Sequence, residues 1–162
     1  MPFRAVNRRG TPQHDPGLQR HHLLARQLLS QNCFAKLFAA LGLVRIGFDD
    51  FRRNGMLLPA REEAAFRLAL PLHRGQHRDY NTMVIDRAGQ IESRWSRHRL
   101  ADPDQAGETA LMRLGLLQTA LRRRLLDERE PYRLNRKDPL GAGLDFAELD
   151  AMAESLWCAT GA

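Results

Sequence analysis

The chain has 162 residues, 43% of them apolar, and 25 Lys plus Arg against 19 Asp plus Glu give a formal net charge of +6. That length holds one domain with a real core and not two full ones, and the apolar content excludes a disordered tail. No run approaches the ~18 apolar residues of a membrane span and no apolar h-region follows the N-terminus, so neither a membrane anchor nor a secretory signal is expected.

The basic side is almost all arginine, with Lys36 and Lys137 the only lysines. The planar guanidinium fork matches phosphate bidentately, so the charge favours a polyanionic partner, most simply nucleic acid. Cys33 and Cys158 are too far apart in sequence for a zinc knuckle and make no disulfide framework; both read as buried thiols in a reducing compartment, and the chain is expected to be cytoplasmic or delivered as an effector by a route not visible in the sequence.

In chain order, residues 1–19 place Pro2, Gly10, Pro12, Pro16 and Gly17 among polar and basic residues, the signature of a loosely ordered arm whose Arg4, Arg8 and Arg9 are solvated or grasp phosphate. His21-His22-Leu23-Leu24 starts a helix or forms a short strand. Over residues 27–41, Leu28, Leu29, Cys33, Phe34, Leu37, Phe38 and Leu41 recur at three and four, predicting an amphipathic helix closed by Gly42. A connector over 43–51, with Asp49 and Asp50 leading onward, reaches Asn54-Gly55, a strong turn signal. Met56-Leu57-Leu58 then reads as a short buried strand stopped by Pro59, and 60–72 as a connection with some helical character.

A helix is expected from about residue 76 to 97, carrying Tyr80, Met83, Val84, Ile91 and Trp95, with Gly89 weakening it locally. Asp102-Pro103 opens another. Its stripe of Leu111, Leu114, Leu117, Leu121 and Leu125 serves the core rather than a dimer seam. Residues 130–144 read as loop. Asp145 with Glu148 then forms a capping box for a last helix packed through Leu149, Met152, Leu156 and Trp157.

Four of the six histidines fall in two clusters, His21-His22 and His73-Arg74-Gly75-Gln76-His77. On a helix, His73 and His77 at i and i+4 stand one above the other and can bite one divalent ion. A third ligand would leave a position open, as in catalytic sites. Adjacent histidines in an extended segment point to opposite faces, so one can face the ion and its neighbour the attacking water. That division suits phosphodiester hydrolysis: an ion polarises the phosphate while the free imidazole takes a proton from water. Arg74 and Arg78 flank the ligands and are candidates for phosphate contact. His14 and His98 lack partners at useful spacing.

Arg20-His21-His22-Leu23-Leu24, then Asn54-Gly55-Met56-Leu57-Leu58-Pro59, then His73-Arg74-Gly75-Gln76-His77-Arg78-Asp79-Tyr80 resemble the AHH family of the HNH/His-Me finger nucleases. The likeness spans roughly 20–97. It departs from the family's name at Arg20, where an alanine or other small residue is expected. The resemblance implies His21, His73 and His77 as metal ligands and His22 as the general base. It implies that Asn54 braces the loop carrying that base, and that Tyr80 supports it.

The chain is therefore expected to be one α+β domain, predominantly helical: an arm (1–19), a small ββα-metal core (20–97) and a helical extension (98–162). The expected function is a metal-dependent endonuclease acting on DNA rather than RNA. All-imidazole ligation favours Zn²⁺, Ni²⁺ or Mn²⁺ over Mg²⁺, although cellular availability can still select Mg²⁺. The alternatives are an effector toxin nuclease paired with an acidic immunity protein, and a non-catalytic nucleic-acid-binding protein holding a structural zinc.

Overall fold

A computed structural model of the chain describes residues 1–75, 77–127, 129 and 132–134. The fold is α+β and predominantly helical, with one two-stranded antiparallel sheet. Strand β1 (Leu18–His22) pairs with β2 (Gly55–Pro59) in a register running from Leu18 opposite Pro59 to His22 opposite Gly55. Between them come two 3₁₀ turns (Arg26–Ser30 and Asn32–Phe34) and the helices α1 (Ala35–Leu41), α2 (Leu43–Ile46) and α3 (Phe51–Asn54). After β2 follow α4 (Glu62–Leu68), α5 (Arg78–His98) and α6 (Pro103–Leu125).

The long helices form where the apolar periodicity predicts them. α5 buries Tyr80, Val84, Ala88, Ile91 and Trp95 and runs through Gly89 unbroken. The carboxylate of Asp102 caps α6 by accepting the Gln105 N–H at 2.9 Å, one residue before Pro103. Its leucines serve the core as expected: Leu114, Leu121 and Leu125 are buried, and Leu111 and Leu117 pack against them. Burying a leucine contributes about 1.5–3 kcal/mol, so the stripe is a major source of cohesion. The predicted loop over 130–144, apart from 132–134, and the helix from Asp145 lie outside the described residues, as does Cys158.

Several expectations need correction. The single helix over 27–41 is instead two 3₁₀ turns and α1. The interruption falls in the polar run Ser30-Gln31-Asn32, where the Ser30 hydroxyl donates to the Gln27 carbonyl at 2.8 Å and Gln31 is extended. Leu28, Phe34, Leu37, Phe38 and Leu41 are buried all the same, whereas Cys33 is exposed rather than a core thiol.

Asn54-Gly55 is not a hairpin turn either, since β1 and β2 are joined by residues 23–54. Asn54 ends α3, and Gly55 is extended at φ −115°. A side chain at 55 is excluded on steric grounds, because its Cβ would run into the Phe51 ring and lie 2.8 Å from the Phe51 Cα.

The N-terminal arm is docked rather than loose. Pro2 bridges Asp50, and the Phe51 N–H donates to the Met1 carbonyl at 2.8 Å. Asn7 staples the arm to the start of β1: its amide donates to the Asp15 and Leu18 carbonyls at 2.9 Å, and its oxygen accepts the Asp15 N–H at 2.7 Å. Composition marks such a segment as polar but cannot reveal that one amide satisfies three backbone groups at once.

Candidate active site

Alternation along β1 sends His21 and His22 to different surroundings. His21 is 4% exposed. Its ring meets the His73, His77 and Tyr80 rings edge-on, at centroid distances of 4.9, 5.7 and 5.0 Å. His73 and His77 approach to 4.4 Å, although not by helical stacking. Both precede α5: His73 lies outside any helix or strand and its N–H donates to the Pro59 carbonyl at 2.6 Å, and His77 occupies the N-cap position of α5. The chain turns between them at Gly75, with φ +82°, a conformation natural to glycine.

One ligand nitrogen from each of His21, His73 and His77 lies within 4.8 Å of the other two, and no other such His/Cys/Asp/Glu group occurs among the described residues. His21 Nε2 and His77 Nδ1 are buried and have no hydrogen-bond partner among the described residues. Buried imidazole nitrogens are ordinarily paired, so this convergence fits a divalent cation. Burial, then the neighbouring His73 and His77, lowers the His21 pKa from 6.5 to about 2. Burial, then His77, lowers that of His73 to about 4. For His77 burial lowers the value, against a raising contribution from the Leu134 backbone. All three rings are thus held neutral, the form that ligates metal.

His22 is half-buried on the other face. Its ring stacks on Phe3 of the arm, with centroids 3.7 Å apart and planes inclined by 3°. Its Nε2 is also buried and has no hydrogen-bond partner among the described residues. Burial, followed by the Arg26 charge, lowers its pKa to about 4 while Asp49 opposes the shift. Neutral at pH 7, it has a lone pair with which to accept a proton.

The residues after the histidine pair are clamped from two sides. Asn54 is fully buried; its Oδ1 accepts the Leu24 N–H at 2.7 Å and its Nδ2 donates to the Phe48 carbonyl at 2.9 Å. Its own carbonyl accepts the Leu23 N–H at 2.8 Å. The Tyr80 hydroxyl donates to the Leu23 carbonyl at 2.8 Å. Burial, then Tyr132, raises the Tyr80 pKa further above 10, so it remains a donor. Arg74 and Arg78 are exposed, and Arg78 joins His77, Gly75, Gln27 and Asn81 in lining a cleft beside the cluster. A second cavity of about 300 Å³, between α5 and α6 around Ile91, Trp95 and Ala110, has His98 in its wall but none of His21, His22, His73 or His77.

Two neighbours of the site escaped sequence reasoning. Phe3 carries no local signal, because its contact with His22 is long-range. Gln19, with Oε1 3.1 Å from His73 Nδ1, was legible in principle through its i, i+2 parity with His21.

A family model described as AHH, a nuclease family of the HNH/ENDO VII superfamily with conserved AHH, matches residues 2–120. The match is broader than the 20–97 span of the motifs and takes in the docked arm and most of α6. No curated protein and no solved structure matches.

Proposed function

The chain belongs to the AHH nuclease family, and from that premise we propose that it is a metal-dependent endonuclease that hydrolyses phosphodiester bonds in DNA. The observation that carries this reading is the convergence of His21, His73 and His77, with His22 adjacent on the opposite face of β1. His21, His73 and His77 hold one divalent ion, with Zn²⁺ best suited to three imidazoles and Mn²⁺, Ni²⁺ or Mg²⁺ as other candidates. When bound, that ion supplies Lewis-acid stabilisation of phosphate charge.

His22 accepts the proton of the attacking water. Its ring plane is set by Phe3, and the backbone just beyond it is held by Asn54 and Tyr80. Arg74 and Arg78, exposed near the cluster, bind neighbouring phosphates, for which duplex affinity falling steeply with salt is the signature. Three ligands without a fourth among the described residues support a catalytic site rather than a closed structural zinc.

The test is nicking of supercoiled plasmid across Zn²⁺, Ni²⁺, Mn²⁺ and Mg²⁺, beside His22→Ala. General-base loss typically costs 10²–10⁴-fold, leaving a metal-dependent residue. Cleavage by His22→Ala at the wild-type rate would remove His22 as the base. No cleavage in any metal would remove the enzymatic reading.

A further inference from the structure

β1 carries a further group toward the histidine cluster that no motif singles out. Gln19 stands two residues before His21, so both lie on one face of the strand. Its Oε1 is 3.1 Å from His73 Nδ1. An amide oxygen only accepts, so a hydrogen bond in this orientation requires the proton on Nδ1. A neutral imidazole has one ring proton, so Nε2 is then left with its lone pair.

The backbone of His73 is fixed as well, by its N–H bond to the carbonyl of Pro59, the last residue of β2. Pro59 pairs with Leu18, next to Gln19, so one end of the sheet grips His73 by both backbone and ring. Ligating histidines commonly give their second N–H to such a partner, which sets tautomer and ring orientation. An amide does this without adding negative charge where a polyanion must approach.

We infer that Gln19 is a positioning residue of the metal centre: it accepts the Nδ1 proton of His73 and so selects the tautomer whose Nε2 is free to ligate. The inference rests on the proposed metal centre, and its test separates the two.

Zn²⁺ binding is measured by calorimetry for the wild type, Gln19→Ala, Gln19→Glu and His73→Ala, and the His73 tautomer is read from ¹⁵N chemical shifts of the metal-free protein. The expected result is binding about 10- to 100-fold weaker in Gln19→Ala and restored in Gln19→Glu, whose carboxylate also accepts. The wild-type ring should carry its proton on Nδ1, and Gln19→Ala should move it toward Nε2. Unchanged affinity in Gln19→Ala, with His73→Ala impaired, overturns the role of Gln19 and leaves the metal centre standing. If the wild type binds no zinc, or His73→Ala binds as the wild type does, the metal centre falls. A wild-type ring protonated on Nε2 overturns the role of Gln19 in every case.

Discussion

On one face of β1, Gln19 and His21 look toward His73; on the other, Arg20 and His22 meet the N-terminal arm, with Arg20 donating to the Phe3 carbonyl at 3.0 Å. The same residue type, placed twice in succession, is thereby given two environments. His21 is nearly sealed, and after burial it is His73, His77 and then His22 that lower its pKa. His22 is half-open, stacked on a phenyl ring and influenced by Arg26 and Arg20 against Asp49. A strand's period of two is enough to separate the proposed ligand from the proposed base without any insertion between them. The contrast also explains Arg20, the departure from the small residue of the family's name. Its side chain lies on the His22 face and ties down the arm that carries Phe3, a bond an alanine cannot make.

The largest expected effect breaks the two faces apart. His77→Ala should lower bound metal in elemental analysis, and activity with it, whereas His22→Ala should lose activity while keeping wild-type metal content. Equal metal loss in both variants would mean that the faces are not separate. Unchanged stoichiometry in His77→Ala would remove that ring from the site.

Asn54 serves both faces, because it fixes the chain immediately after them. Asn54→Ala leaves the Leu24 N–H and the Phe48 carbonyl buried without their present partner. Orphaning buried groups of this kind costs about 1–3 kcal/mol. The expected result is a urea midpoint lowered accordingly, with activity falling further than metal affinity; an unchanged midpoint would contradict the bracing role.

Lowering pH should stress the metal-free protein in a predictable direction. His22 and His73 have folded-state pKa values of about 4, against 6.5 when unfolded. Between those values the unfolded chain binds more protons than the native one. Stability is therefore fully present above about pH 6.5 and is lost as pH falls toward about 4. Urea midpoints of chelator-treated protein across that window check the sign, and a flat profile would mean that the rings are not buried as described.

How much of this was legible depends on the range of the contacts. The periodicity of 111–125 and the Asp102 cap are local signals, and both α6 and its core role follow from them. Over 27–41 the buried residues were readable from spacing, but repeats of three and four cannot distinguish a continuous α-helix from 3₁₀ turns broken at Gln31. Asn54-Gly55 carries turn chemistry, yet its work here is an amide reaching two loops and a missing Cβ beside Phe51. The His73/His77 spacing pointed to a shared site although Gly75, not a helix, brings the rings together. The docked arm was not legible, because what holds it is long-range: the Phe51 N–H reaches the Met1 carbonyl, Arg20 reaches the Phe3 carbonyl, and the Asp50 carboxylate holds the N-terminal ammonium.

The smallest effect is the most diagnostic of the two-face arrangement. Phe3 touches His22 and Phe51 but is not in ring contact with His21, His73 or His77. An aromatic stack is worth about 0.5–1.5 kcal/mol beyond its buried area, so releasing the His22 ring should cost roughly 2- to 10-fold in rate. Phe3→Leu keeps the apolar character while removing the parallel ring, and it should slow cleavage by that margin with Zn²⁺ affinity unchanged. Phe3→Tyr, which retains the ring, should cleave at close to the wild-type rate. A loss of metal affinity in Phe3→Leu would show that the arm supports the whole site, and the separation across β1 would then describe geometry alone, not function.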